Sequence, residues 1–116
     1  MSVQRDIIAP DAGQPRSLIV RGGAFLFVSG LAAADRGTTA SETREILTRL
    51  KQMLEAAGSS LDRVVKVNVL VHSMLEAPNM NDVYARFFND PPPARTVCGA
   101  RLPDGVKIMI ECTALA

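Results

Sequence analysis

The 116-residue sequence predicts an α+β domain: a mixed sheet with two helices on one of its faces. Three observations give that class. Two stretches place apolar residues at helical spacing, several others alternate apolar and polar residues, and glycine- or proline-rich turns punctuate the junctions. The order is hairpin, helix, strand, helix, strand pair. There is no internal repeat, and the length fits one domain over residues 1–116.

Residues 3–8 are expected to form a short strand, and Ala9 to Pro15 a loop. Ser17 to Val20 and Ala24 to Ser29 flank Gly22-Gly23 and form a hairpin. The second strand stops at Ser29-Gly30. Glycine there permits close approach of a ligand or another backbone, and serine offers a hydroxyl; a plain strand terminator is the alternative. Residues 31–38 are small and polar, a loop. Thr39-Ala40-Ser41-Glu42 matches a capping box, with Thr39 as N-cap and Glu42 three residues on. Ile46, Leu47, Leu50, Met53, Leu54 and Ala57 then repeat at helical spacing until Gly58, with Arg44, Glu45, Arg49 and Lys51 on a solvated face.

Val65, Val67, Val69 and Val71 alternate with Lys66, Asn68 and Leu70, a strand with one face on the helices. His72 follows, with no Ser, Cys or Asp at a motif spacing, so catalysis by histidine is not expected. Glu76-Ala77-Pro78 opens the second helix, whose buried stripe is Met80, Val83, Tyr84 and Phe87. The remaining two strands are joined by a tight turn at Leu102-Pro103-Asp104-Gly105. In the last of them Val106, Ile108, Ile110 and Cys112 share one parity, and Lys107, Met109 and Glu111 the other.

Helices on one side leave the second sheet face to be covered. Phe25, Leu26, Phe27 and Val28 are apolar on both parities, and the simplest cover is other copies of the chain around a closed axis.

Composition narrows the function. Thirteen basic and twelve acidic side chains give a net charge of +1 without a basic run, so no nucleic-acid partner is expected. No cluster of histidine, lysine and carboxylate points to RNA hydrolysis. Charges break the apolar stretches well short of the roughly 20 residues of a membrane helix. The first residues lack the order of a signal peptide, so a cytoplasmic protein without a membrane partner is expected. One histidine and two separated cysteines show no metal-ligand spacing, and neither metal nor cofactor is expected. Cys98 and Cys112 are expected as small buried apolar groups.

The strongest candidate for chemistry is Arg95. It opens a strand beside Asp90-Pro91-Pro92-Pro93, and a guanidinium so placed can grip a carboxylate through two parallel N–H bonds. A solvated edge arginine is the alternative.

Pro93-Ala94-Arg95-Thr96, Leu102-Pro103 and Val106-Lys107-Ile108-x-Ile110-Glu111-Cys112 together resemble the C-terminal signature of the RidA (YjgF) family, the reactive-intermediate imine deaminases. The resemblance extends to Phe27-Val28-Ser29-Gly30, to residues 64–71 and to Asn81-x-x-Tyr84-x-x-Phe87-Phe88, so it covers nearly the whole chain in order. It implies a chorismate-mutase-like fold and a homotrimer whose sheets pack into a barrel, with a ligand cleft at each subunit interface. Arg95 would be the catalytic anchor for the carboxylate of a 2-imino acid. Ser29 and Gly30 would line the pocket, with Asn81 and Phe87 at its edge.

The family's catalytic glutamate falls on Met109, and its second acidic residue on Glu111, about 7 Å further along the same strand face. Gln14-Pro15-Arg16 stands where the family has Gly-Pro-Tyr, so Arg16 replaces a pocket tyrosine with a cation. Either Val97 or Cys98 takes the family's pocket cysteine position. The implied activity is hydrolytic deamination of small 2-imino or enamino acids with altered scope. The alternative is a noncatalytic binder of a small carboxylate such as a 2-imino or 2-keto acid.

Overall fold

Alternating apolar residues build six strands and two apolar stripes build the helices in this computed structural model, which describes residues 4–88 and 90–116. The strands are β1 (Arg5–Pro10), β2 (Ser17–Gly22), β3 (Phe25–Leu31), β4 (Val64–Val71), β5 (Ala94–Gly99) and β6 (Ile108–Leu115); the helices are α1 (Thr39–Ala56) and α2 (Ala77–Phe87). The sheet order is β1-β2-β3-β6-β4-β5, antiparallel except for β4 beside β5. The architecture is α+β, as the residue pattern predicts.

One sheet face carries the core. Ile19, Leu26, Val28, Leu31, Val67, Val69, Val71, Ile108, Ile110 and Cys112 pack against Ile46, Leu47, Leu50 and Leu54 of α1 and Met80 and Tyr84 of α2. Burying each large aliphatic side chain contributes about 1.5–3 kcal/mol. That packing, rather than helix propensity, holds α1 in place. The burial of Cys112 pushes its thiol up to about 12, with Glu111 adding to the rise, so it stays protonated and inert.

The other face is largely open. Phe25 and Phe27 are 40% and 49% exposed, and Leu70 and Met109, paired with each other further along the sheet, are half-buried. Polar pairs cross the same face: Lys66 Nζ donates to Thr96 Oγ1 at 2.8 Å, and Asn68 Nδ2 donates to Glu111 Oε1 at 2.9 Å.

Several local expectations are corrected. The first strand is Arg5–Pro10, so Ala9 and Pro10 belong to it rather than to a loop; residue 3 lies outside the described residues. Proline is tolerated because β1 is a sheet edge, and its register shifts at Ala9 and Pro10. Val65 is 39% exposed, because a register shift between Val64 and Lys66 turns it off the face that Val67, Val69 and Val71 share. Cys98 is exposed on the edge strand β5 and is not a core group.

The last two strands do not pair with each other. β5 runs parallel to β4, with Val67 beside Arg95, while β6 lies on the other flank of β4, with Leu70 beside Met109. The Pro103-Asp104-Gly105 turn exists, with Val106 N–H donating to Pro103 O at 3.0 Å and Gly105 at φ +79°. It serves a crossover past the end of β4. Crossing one intervening strand needs about 10 Å, which residues 100–107 span and a two-residue hairpin cannot.

The cap of α1 sits one residue earlier than expected. Thr38 Oγ1 accepts from Ser41 N–H at 3.0 Å, and Ser41 Oγ accepts from Thr38 N–H at 3.0 Å. Both frames satisfy the motif, and the shift releases Glu42 for another role. Its carboxylate, 1% exposed, accepts from Gly37 N–H and from Lys107 N–H, both at 3.0 Å. Glu42 thereby ties the start of α1 to the entry of β6. Truncating it in Glu42→Ala strands two backbone donors and is expected to cost about 3 kcal/mol, whereas Glu42→Gln, which keeps one acceptor, costs less than half of that. Urea unfolding of the two variants against the parent measures the difference.

Candidate functional site

Arg95 is the second residue of β5 and lies beside Val67, so it projects on the helix side of the sheet at its edge. There α2 meets it. Its Nη1 donates to Asn81 Oδ1 at 2.7 Å and lies 4.0 Å from Met80 Sδ, and the guanidinium carbon sits 4.7 Å from the centroid of the Tyr84 ring. Nε and Nη2 carry no acceptor among the described residues. Those two N–H groups form one side of the guanidinium fork, the geometry that grips a carboxylate through two bonds.

Tyr84 is a fixed platform for that fork. It is 5% exposed, and its ring lies 4.9 Å from that of Phe88. Its hydroxyl is buried without a partner among the described residues. Burial pushes the phenol up to about 12, a rise that the Arg95 guanidinium partly offsets. A neutral phenol presents Arg95 with a π face and no competing anion. With Ala85, Phe88, Pro92 and Pro93 these residues enclose a groove of about 370 Å³.

Val97 lies beside Val69, so it shares the face of Arg95; Cys98 lies beside Leu70 and points to the open face. Of the two alternatives for the pocket cysteine position, Val97 is therefore the one beside Arg95. Phe87 is not brought to this groove. It lines a different one with Lys51, Glu55, Leu61 and Arg86, and Phe88 stands at the Arg95 groove instead.

The other sequence candidates gather elsewhere. Ser29 Oγ donates to Ser17 O at 2.6 Å, which leaves its lone pairs as acceptors. Arg16 is a clamp rather than a free cation: Nη1 donates to Gly30 O at 2.7 Å, and Nε pairs with Asp11 Oδ2 at 2.9 Å. Met109 covers Gly30, since a Cβ on that glycine would meet Met109 Cε at 3.1 Å. Glu111 shares the open face with Met109 and is held by Asn68. The sheet itself separates Met109 and Glu111 from Arg95 within one chain.

The candidates thus form two groups. Arg95, Asn81 and Val97 sit at the β5 edge; Ser29, Gly30, Arg16 and Met109 sit around the end of β3. Tyr84 and Phe88 are the site residues that sequence reasoning did not single out. The signal was present, because Asn81, Tyr84 and Phe88 recur at three- and four-residue steps along one helical face. Among the described residues no three His, Cys, Asp or Glu side chains gather in a way that could hold a metal ion. No helix among them is long and apolar enough to cross a membrane.

This combination of sheet order and helix placement is that of the YjgF proteins. A member of that family from Neisseria meningitidis has the same fold, with a TM-score of 0.90 over 97% of this chain and 95% of that one, at 23% identity. Residues 7–116 match the family described as Endoribonuclease L-PSP, and the chain belongs to this YjgF/RidA family. A RutC family protein of Pyrococcus horikoshii is 39% identical over 114 residues, 91% of this chain and 90% of that protein. A 2-iminobutanoate/2-iminopropanoate deaminase of Dermatophagoides farinae is 34% identical over 122 residues, 96% of this chain and 95% of that protein.

Tyr84 is the chain's one tyrosine, so its ionisation can be followed without interference. Absorbance at 295 nm is expected to titrate with a midpoint of about 12, against the ordinary value near 10, and to move higher still in Arg95→Ala. The sign follows from linkage: a phenol raised by folding stabilises the native state below pH 10, and that contribution is lost as pH climbs through 12. A midpoint near 10 in the native protein would contradict the buried placement of the ring.

Proposed function

We propose that the chain is a hydrolytic deaminase of small 2-imino and enamino acids, working in clefts between the subunits of a homotrimer. The observation that carries this reading is the Arg95 fork, held from behind by Asn81 and the Tyr84 ring with two adjacent N–H donors that have no acceptor among the described residues. Such a fork neutralises and orients one carboxylate, and a relative of similar length bears a deaminase's name. The open sheet face with Phe25 and Phe27 supports assembly. So does the division of the candidates into two groups on opposite faces, because a cleft between two copies can unite what one sheet keeps apart.

The reaction adds water to the C=N carbon of the imine; the resulting carbinolamine expels ammonia and leaves a 2-oxo acid. An imine is already electrophilic, so orientation and charge neutralisation by Arg95 do much of what is needed. The water must still be placed. Methionine at 109 accepts no proton, so in this reading the water is held by backbone groups near Gly30 and by the lone pairs of Ser29, whose own proton goes to Ser17 O. Substrate is contacted by Arg95, Asn81 and Val97 of one copy and by the Ser29, Gly30 and Met109 group of another, with Arg16 and Glu111 shaping the second wall.

A second reading has one observation in its favour. Met109 closing over Gly30 fits a noncatalytic member that binds a small carboxylate without turning it over.

An amino acid oxidase that generates 2-iminopropanoate, with semicarbazide trapping the free imine, separates the two. The parent is expected to accelerate imine loss, Arg95→Ala to abolish the acceleration, and Met109→Glu to raise it by about 10²-fold through general acid–base catalysis. No acceleration, together with thermal stabilisation by 2-oxobutanoate that needs Arg95, would establish the binder instead. The assembly is checked by sedimentation equilibrium, where a species of three times the chain mass of 12.4 kDa is expected. A monomer at micromolar concentration would remove the interface cleft.

A further inference from the structure

The crossover from β5 to β6 leaves a wide-mouthed surface cavity of about 470 Å³ at the far end of β4 and β5 from Arg95, lined by His72, residues 100–106 and Lys107. It shares no residue with the Arg95 groove. It lies beyond the carboxyl ends of the sheet's one parallel pair, where the connecting chain cannot pack on the strand ends.

Its charge is one-sided. Two cations, Arg101 and Lys107, line it against one carboxylate, Asp104, together with the imidazole of His72, in a chain whose basic and acidic residues otherwise nearly balance. Arg36 adds a third cation at the rim, its Nε 3.4 Å from the position of a Cβ on Gly105, with Nη1 donating to Ala33 O at 2.6 Å. Asp104 makes no ion pair with them: the ion pair found among the described residues joins Arg16 to Asp11. Glu42 keeps a carboxylate beside the Lys107 amide but is not part of the lining; it accepts from two backbone N–H groups.

His72 is fixed rather than loose. Its backbone N–H donates to Lys107 O at 3.0 Å, and its ring Nδ1 lies 3.1 Å from the same oxygen. A carbonyl only accepts, so Nδ1 carries the hydrogen, and Nε2 of the neutral ring is an acceptor that can take a hydrogen from a monoprotonated phosphoryl oxygen. The N–H groups of Arg101, Asp104 and Gly105 have no backbone acceptor among the described residues.

We infer that this cavity binds a small phosphate-bearing molecule, at a site distinct from the carboxylate groove. A monocarboxylate is satisfied by one guanidinium fork. A phosphoryl group brings close to two negative charges and three acceptor oxygens, which suits the Arg101 fork and the Lys107 point charge around one space, with the Arg36 guanidinium at its rim. This assignment does not depend on the deaminase reading, because it uses none of the residues at Arg95.

Calorimetry of the full chain with pyrophosphate, at constant ionic strength against acetate and chloride, tests it. Saturable binding of one pyrophosphate per chain is expected, weakened about tenfold or more in Arg101→Gln and in Lys107→Gln, retained in Lys107→Arg, and unchanged in Arg95→Ala. The Lys107 substitutions keep the backbone N–H that Glu42 uses, and thermal melts confirm that the variants fold. Non-saturating heats, equal affinity in Arg101→Gln and Lys107→Gln, or loss of binding in Arg95→Ala would each overturn the assignment.

Discussion

The parallel pairing of β5 with β4 is the constraint on which the rest of the functional geometry depends. It fixes Arg95 beside Val67, and through strand alternation it turns the guanidinium toward α2 rather than toward the open face. Everything that makes Arg95 usable follows from that orientation: the bond to Asn81, the ring of Tyr84 behind the cation, and the prolines that close the groove. The same pairing forces the chain to cross β4 before β6 can begin, and so creates the basic cavity at the other end of the strands. One register therefore organises two separate basic places on the chain.

The charge at Arg95 is shaped by what surrounds it as much as by the residue itself. A buried phenol under a guanidinium adds attraction without supplying a counter-ion, and Asn81 takes one donor while the bidentate side meets no acceptor among the described residues. Arg16 shows the contrast. It carries the same formal charge, yet Asp11 and Gly30 O use its donors, and it works as a strut between the loop after β1 and the end of β3. The two arginines are told apart by their hydrogen bonds, which no residue count discloses.

Much of this was legible in the residues. The period of α1, the alternation in β6 and the placement of Arg95 at a strand start all stand as the spacing indicated, because each rests on local pattern and burial together. What local pattern could not supply was pairing. Val65 leaves its expected face because of a register shift, and β5 and β6 are parted by β4 although a turn motif lies between them. The capping box was ambiguous for a simpler reason: Thr38 and Thr39 each have a suitable partner three residues on, and tertiary contacts chose the frame that frees Glu42. Phe87 and Phe88 are likewise neighbours whose difference is rotational, and only the end of α2 decides which one meets the groove.

The tie between Glu42 and position 107 runs to the main chain. Any amino acid other than proline can offer that same amide, so the geometry of the β6 entry is insulated from whatever side chain evolution installs there. A lineage could therefore retune the chemistry at the mouth of the crossover, swapping lysine for a neutral or acidic group, while the architecture beneath it stays put. Structural inheritance and adaptive freedom are assigned to different atoms of one residue.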